Sequence, residues 1–198
     1  ERASVDVRGA AQDLEEARKL AGVGDWGAAV DLLSRVVLPS VVRELPDDPL
    51  LQAAVLTLSR GLLNRGRAAE AVTALDALSG ATEKPAELFT SLAEAHLALG
   101  HAPLAERTAR AGLTVLRSTA LFEHLIEAQR AQGLFADAVA TARQRLGVSR
   151  DAASLSAAGE QLVEYAAHVS EARLPERYGS LHEAVSLLSE ARERAPQD

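Results

Sequence analysis

The chain has no cysteine and no methionine. Without thiols it can form no disulfide, hold no metal by thiolate and offer no cysteine nucleophile. Aromatic residues are scarce, at 3%, with a single tryptophan. Lysine is nearly absent, with two lysines beside nineteen arginines. That bias leads us to expect a bacterial source of high GC content. No apolar run approaches the ~20 residues that span a bilayer. No basic-plus-apolar leader opens the sequence. The expectation is therefore a cytoplasmic location with no membrane partner. The lack of methionine and the start at Glu1 lead us to expect a segment of a longer protein.

The net charge is −7. Fifteen acidic residues face ten basic ones up to Gly100, and thirteen face eleven after it. Neither half is basic, and the arginines are interspersed with acids. A nucleic-acid partner needs a clustered positive face, so none is expected. Alanine and leucine dominate, β-branched runs are rare, and proline and glycine fall mostly at breaks. This is a helical composition. A chain of 198 residues can bury roughly 70% of its unfolded surface in one sizeable domain.

The breaks recur. In "SLAEAHLALGHAPLAERTARAGL" a helical stretch stops at Gly100 and restarts by Pro103. Small or apolar residues lie seven before and five after a glycine at Ala17/Ala29, Ser59/Ala71, Ala93/Ala105, Ile126/Ala138 and Ala172/Ala184. The five glycines, Gly24, Gly66, Gly100, Gly133 and Gly179, are spaced by 42, 34, 33 and 46 residues. A period near 34 marks a helical repeat array. Glycine ends a helix at little cost because it tolerates a left-handed backbone, and proline suits the first turn of the next helix. Leu58, Leu92 and Leu125 lie eight before their glycines, Phe89 and Phe122 eleven before, and Trp26 and Phe135 two after. Larger residues at fixed offsets fill the space between stacked helix pairs.

This pattern resembles the tetratricopeptide repeat family, whose units are two helices long. The resemblance implies an all-α fold: a right-handed α-solenoid of tetratricopeptide-like helical hairpins with about ten helices. It implies one solenoid domain over 1–198, with units at about 10–45, 50–82, 86–117, 119–148 and 152–196. Pro196 sits where the family often carries a unit-ending proline. Two joints are long. The stretch 39–50 holds three prolines and reads as a lengthened second helix or a short extra turn. A loop at 46–49 follows, and Asp48 caps the next helix. Residues 148–172 read as one long helix capped by Asp151, with Leu155, Ala158, Leu162, Ala166 and Val169 at helical spacing. The stretch 173–181 then breaks it. The last unit, with Glu160, Glu164 and Glu171 outward, reads as a polar terminal cap.

No residues assemble an active site. His96 occupies the offset of Leu20 and Leu62, a packing position. No histidine pair has the spacing that puts two imidazoles on one helix face. "GVGDWGAA" follows no strand and is not a phosphate loop. No serine has a nucleophile-elbow context. We expect no enzyme, no metal and no cofactor.

Binding remains. The resemblance implies that first helices line a concave groove, and it places Arg18, Arg60, Glu94 and Glu127 there, six before their glycines. Leu63, Leu97 and Arg130 lie three before, and Leu56, Thr90 and Glu123 ten before; Asn64 lies near Arg60. Such a groove holds a peptide or one amphipathic helix. Some members of the family clamp the carboxylate and acidic tail of a chaperone with lysines and asparagines. At the matching offsets this chain has Leu14 with Arg18, then Thr57, then Glu87 and Ser91, so that function is not expected. Two readings stand. One is a protein-interaction module with a peptide or helix ligand. The other is an architectural segment of a larger bacterial regulator, a kinase or transcription activator. That segment would dock on neighbouring domains of its own chain or form a homodimer.

Overall fold

The computed structural model describes residues 7–195, and among them the only regular structure is helical. Eleven α-helices divide between two compact units that meet at His101 and Ala102. The first unit contains α1 (Val7–Gly22), α2 (Trp26–Val36), α3 (Pro39–Glu44), α4 (Pro49–Asn64), α5 (Ala68–Asp76) and α6 (Ala86–Ala98). The second contains α7 (Ala102–Val115), α8 (Thr119–Ala131), α9 (Phe135–Leu146), α10 (Ala152–His168) and α11 (Leu174–Arg194). Short 3-10 turns follow α5, at Ala77–Gly80, and precede α11, at Glu171–Arg173.

Four turns share one hydrogen-bond pattern. Gly24, Gly66, Gly100 and Gly133 have φ of 83, 71, 72 and 75°. Each glycine N–H donates to the carbonyl three residues back: Ala21, Leu63, Leu97 and Arg130, at 2.9–3.0 Å. The next N–H, of Asp25, Arg67, His101 or Leu134, donates to the carbonyl five residues back: Leu20, Leu62, His96 or Gln129, at 2.8–2.9 Å. These two bonds are the Schellman closure, which satisfies carbonyls a helix end would leave unpaired. The offset four before glycine, where the sequence sets Leu20, Leu62 and His96, is thus also where the turn is anchored.

The small residues let helices approach. Ala17, Ser59, Ala71, Ala93, Ala105 and Ala138 are each at most 1% exposed. Gly61 brings α4 against α2 so closely that a Cβ there would lie 2.6 Å from Val30 Cγ2. The first unit's core is built around Leu33, Leu58, Leu75 and Leu78, and the second unit's around Leu155, Leu162, Ala184 and Leu187. Each fully buried leucine contributes about 1.5–3 kcal/mol. One pair in the second unit is polar: Thr141 Oγ1 donates to Gln129 Oε1 at 2.8 Å, buried between α8 and α9.

Two joints depart from expectation. The first long joint forms a separate short helix, α3, because Leu38 is extended just before Pro39 and so ends α2. Asp48 then caps α4 as expected, accepting from the N–H groups of Leu50 and Leu51 at 2.9 Å. The second departure is a correction. Gly179 is not a turn: α11 runs through it, and the stretch 173–181 does not break the chain into a second helix. The turn falls earlier, at 169–173, and Pro175 sits in the first turn of α11, where its missing N–H costs nothing. Ala184 still occupies its expected buried place, whereas Ala172 is exposed. Pro196 lies outside the described residues.

The two kinds of glycine give opposite expectations for alanine. Gly66→Ala forces a Cβ into the left-handed region and lowers stability by about 1 kcal/mol. Gly179→Ala meets open space in a helix and raises stability by up to about 1 kcal/mol. Thermal unfolding followed by circular dichroism separates the two signs.

Asp151 caps α10, accepting from Ser149 Oγ at 2.6 Å and from Ser154 N–H at 2.7 Å. Those hydrogen bonds, the Ser149 one foremost, hold its carboxyl down to about 2. Its folded-state value is depressed, so the stabilisation is present above the unfolded value of about 4 and is lost as pH falls towards 2. Asp151→Ala therefore lowers the melting temperature at pH 7, and the gap to wild type narrows on acidification.

Candidate functional site

The first unit holds a cavity of about 640 Å3. The leading helices of three successive pairs wall it. α1 supplies Arg18, Ala21 and Gly22; α4 supplies Pro49, Gln52, Ala53, Leu56, Thr57 and Arg60; α6 supplies Glu87 and Ser91. Trp26, at the start of α2, completes the lining. The volume falls in the range of ligand-binding pockets. The helical period sets this face: Gln52, Leu56 and Arg60 lie one turn apart along α4, as do Glu87 and Ser91 along α6.

The polar groups differ in what they already hold. Arg18 donates to Glu15 at 3.0 Å, an exposed pair within one helix. Gln52 Nε2 donates to the Pro46 carbonyl at 2.8 Å, and Thr57 Oγ1 to the Ala53 carbonyl at 2.8 Å. Arg60 is exposed, and its guanidinium forms no ion pair among the described residues. Leu56, Ala53, Ala21 and Trp26 give the cavity apolar walls.

Of the residues singled out in the sequence, Arg18, Leu56 and Arg60 meet in this cavity. The others in this unit stand outside its lining. Leu63 packs on the core, Asn64 donates back to the Arg60 carbonyl at 2.9 Å, and Thr90 donates to the Ala86 carbonyl at 3.4 Å. Glu94 is exposed and Leu97 half-buried. In the second unit Glu123 accepts from buried Arg145 at 2.5 Å. Arg130 pairs with Glu164 at 2.6 Å, and Glu127 is exposed. The sequence presents Trp26 only as a packing aromatic, recurring with Phe135 two after a glycine. Phe135, in the second unit, stacks on His168 with ring centroids 3.8 Å apart. Gln52 and Ala53 carried no signal in the sequence. Arg18, Thr57, Glu87 and Ser91, at the offsets of the chaperone-tail clamp, do share the cavity wall, but without that clamp's lysines and asparagines.

Among the described residues no three His, Asp or Glu side chains gather as a metal site, and no helix is long and apolar enough to cross a membrane. No protein-family model matches the sequence, and no curated protein matches it. Solved structures do. The fold is similar to that of MamA, with a TM-score of 0.70 at 14% identity over 94% of this chain and 91% of that one. It is similar to a thermophilic TPR protein of Thermus thermophilus, with a TM-score of 0.64 at 22% identity over 96% and 93%. The chain has the tetratricopeptide-repeat fold. TPR-like repeats of a putative kinesin light chain from Podosopora anserina give a TM-score of 0.68 at 22% identity over 92% of each chain. In this fold the cavity lies on the leading helices of the hairpins, the face from which the sequence resemblance drew its candidates.

Proposed function

We propose that this chain is a non-catalytic protein-interaction module that receives a peptide or a single helix in the first unit's cavity. The observation that carries the reading is Arg60: a cation that forms no ion pair among the described residues, beside apolar Leu56 and Ala53, with Arg18 also on the wall. An acidic side chain on the ligand would pair with these arginines while a neighbouring apolar side chain fills the space against Trp26. A charge-assisted contact of this kind is stronger than a neutral hydrogen bond, and a guanidinium can grip a carboxylate through two N–H groups. Glu87 and Ser91 close the far wall and set a limit on how much negative charge the ligand can carry there. The fold shared with repeat proteins supports an interaction role of this general kind, and the residues argue for this face and this ligand chemistry.

Trp26 provides the readout, because it is the single tryptophan of the chain and lines the cavity. Titration with acidic peptides that also carry leucine or phenylalanine should change its fluorescence. Arg18→Glu/Arg60→Glu should weaken binding at least tenfold, with equal helicity by circular dichroism, and added salt should weaken the wild-type complex. Binding that leaves Trp26 fluorescence unchanged and survives the double substitution would remove this cavity as the site.

A further inference from the structure

One position recurs at the turns with three different side chains. The residue three before a turn glycine is Ala21, Leu63 or Arg130, next to last in α1, α4 and α8. Its carbonyl accepts the glycine N–H in each case, so the backbone places all three alike. The leading helix of the next hairpin, α4, α6 or α10, carries a charged residue four before its last: Arg60, Glu94 or Glu164. The register of α4 and α10 agrees in a further detail. Asn64 donates to the Arg60 carbonyl at 2.9 Å, and His168 Nδ1 lies 2.8 Å from the Glu164 carbonyl. In the second unit the two positions are joined. Arg130 Nε lies 2.6 Å from the Glu164 carboxylate, and Arg130 Nη2 donates to it at 3.2 Å. Leu63 instead packs on the first unit's core. Ala21 does neither. It is half-buried and lines the cavity. Arg60, on the same cavity wall, forms no ion pair among the described residues.

We propose that the space over Ala21 is a carboxylate subsite, and that the missing side chain at position 21 is what reserves it for a ligand. This rests on the cavity being a ligand site and adds where the ligand's charge sits and which residue decides it. In the second unit the chain closes the contact itself, with Arg130 on one side and Glu164 on the other. In the first unit the cation stands on α4 and the α1 side is a methyl group. The anion that completes the pair must therefore come from outside. Arg18 lies one turn before Ala21 on α1 and shares the cavity wall, so a carboxylate there is flanked by arginines from two helices. The present partner of Arg18 is Glu15, an exposed contact within one helix. Such pairs contribute little, so exchanging Glu15 for a ligand carboxylate costs little. Trp26, Leu56 and Ala53 line the same cavity and shield the pair from solvent, which strengthens it. Glu87 on α6 repels negative charge from the opposite wall. The acidic side chain of the ligand is thereby steered to the α1 side, and a basic side chain is refused there.

Two substitutions of the whole chain test this. Ala21→Glu supplies the carboxylate from within, as Arg130 supplies the cation in the second unit. Ala21→Gln fills the same space without the charge. Both introduce good helix formers, and circular dichroism checks that helicity is unchanged. With no ligand present, the carboxylate introduced at position 21 should titrate about one pH unit lower than in Ala21→Glu/Arg60→Ala, read by carbon NMR of the side-chain carboxyl. The binding probe is a helical peptide with one glutamate beside one leucine and no tryptophan, followed by Trp26 fluorescence. Ala21→Glu should weaken its binding by about tenfold or more, and Ala21→Gln by about threefold or less. An introduced carboxylate that titrates the same with and without Arg60, or an equal loss of binding in the two variants, overturns the subsite. The two readings fail separately. A wild type that binds the peptide and loses it in Arg18→Glu/Arg60→Glu, with no titration difference at position 21, keeps the cavity as a site and overturns the subsite. A low titration at position 21 with no peptide response in the wild type supports the pairing of positions 21 and 60 and overturns the peptide reading of the cavity.

Discussion

The structure depends on a backbone constraint: a helix must end within one residue and let the chain turn back. A left-handed residue does this, and only glycine adopts that conformation without cost. At Gly24, Gly66, Gly100 and Gly133 the same two hydrogen bonds follow. At Gly24, Gly66 and Gly133, whose two helices belong to one unit, the helices then leave the turn close together, and the residues facing each other near it must be small. Ala17 with Ala29 and Ser59 with Ala71 meet that requirement. The larger leucines are displaced to the flanks, where they meet the next pair. The repeat in the sequence is thus the trace of one turn geometry imposed four times.

What could be read from the sequence follows from this. Turn chemistry is local, so the four left-handed glycines and the caps Asp48 and Asp151 were legible, and with them the hairpins. Gly179 has the same neighbours at the same offsets but is helical, because the turn had already been made at 169–173. Offsets alone do not distinguish a glycine that ends a helix from one that lies within it. Pro175 held the better clue, since a proline there begins a helix more readily than it continues one. α3 escaped for a related reason: three prolines announce interruption, but not what fills the space between them.

The cavity was legible where helical periodicity alone decides. Residues six and ten before a glycine, Arg18, Leu56 and Arg60, reach the lining. It was not legible where a partner from another helix decides. Glu123 stands at the same offset as Leu56, yet Arg145, 22 positions later, takes up its carboxylate. Nothing in the spacing of charges along a chain states which of them will be joined. The same holds for Glu164, read as outward in the sequence, which Arg130 pairs with from 34 positions earlier. On α11, Glu183 and Glu190 are likewise taken up by Arg143 and Arg150, 40 positions earlier.

The ion pairs that hold α11 also say how far the chain must search as it folds. Arg143 and Glu183 are 40 positions apart, and Arg150 donates and receives contacts no farther than Arg194, 44 positions on. Interactions of this reach are made between one hairpin and the next. The entropy lost in closing such loops is nearly the same at every step. A chain of this kind gathers structure by neighbourly addition. It also divides its stability: each hairpin stands on its own contacts and those of its neighbours. Under mild denaturant the hairpins nearest a weakened turn open first, while distant ones keep their protected amides.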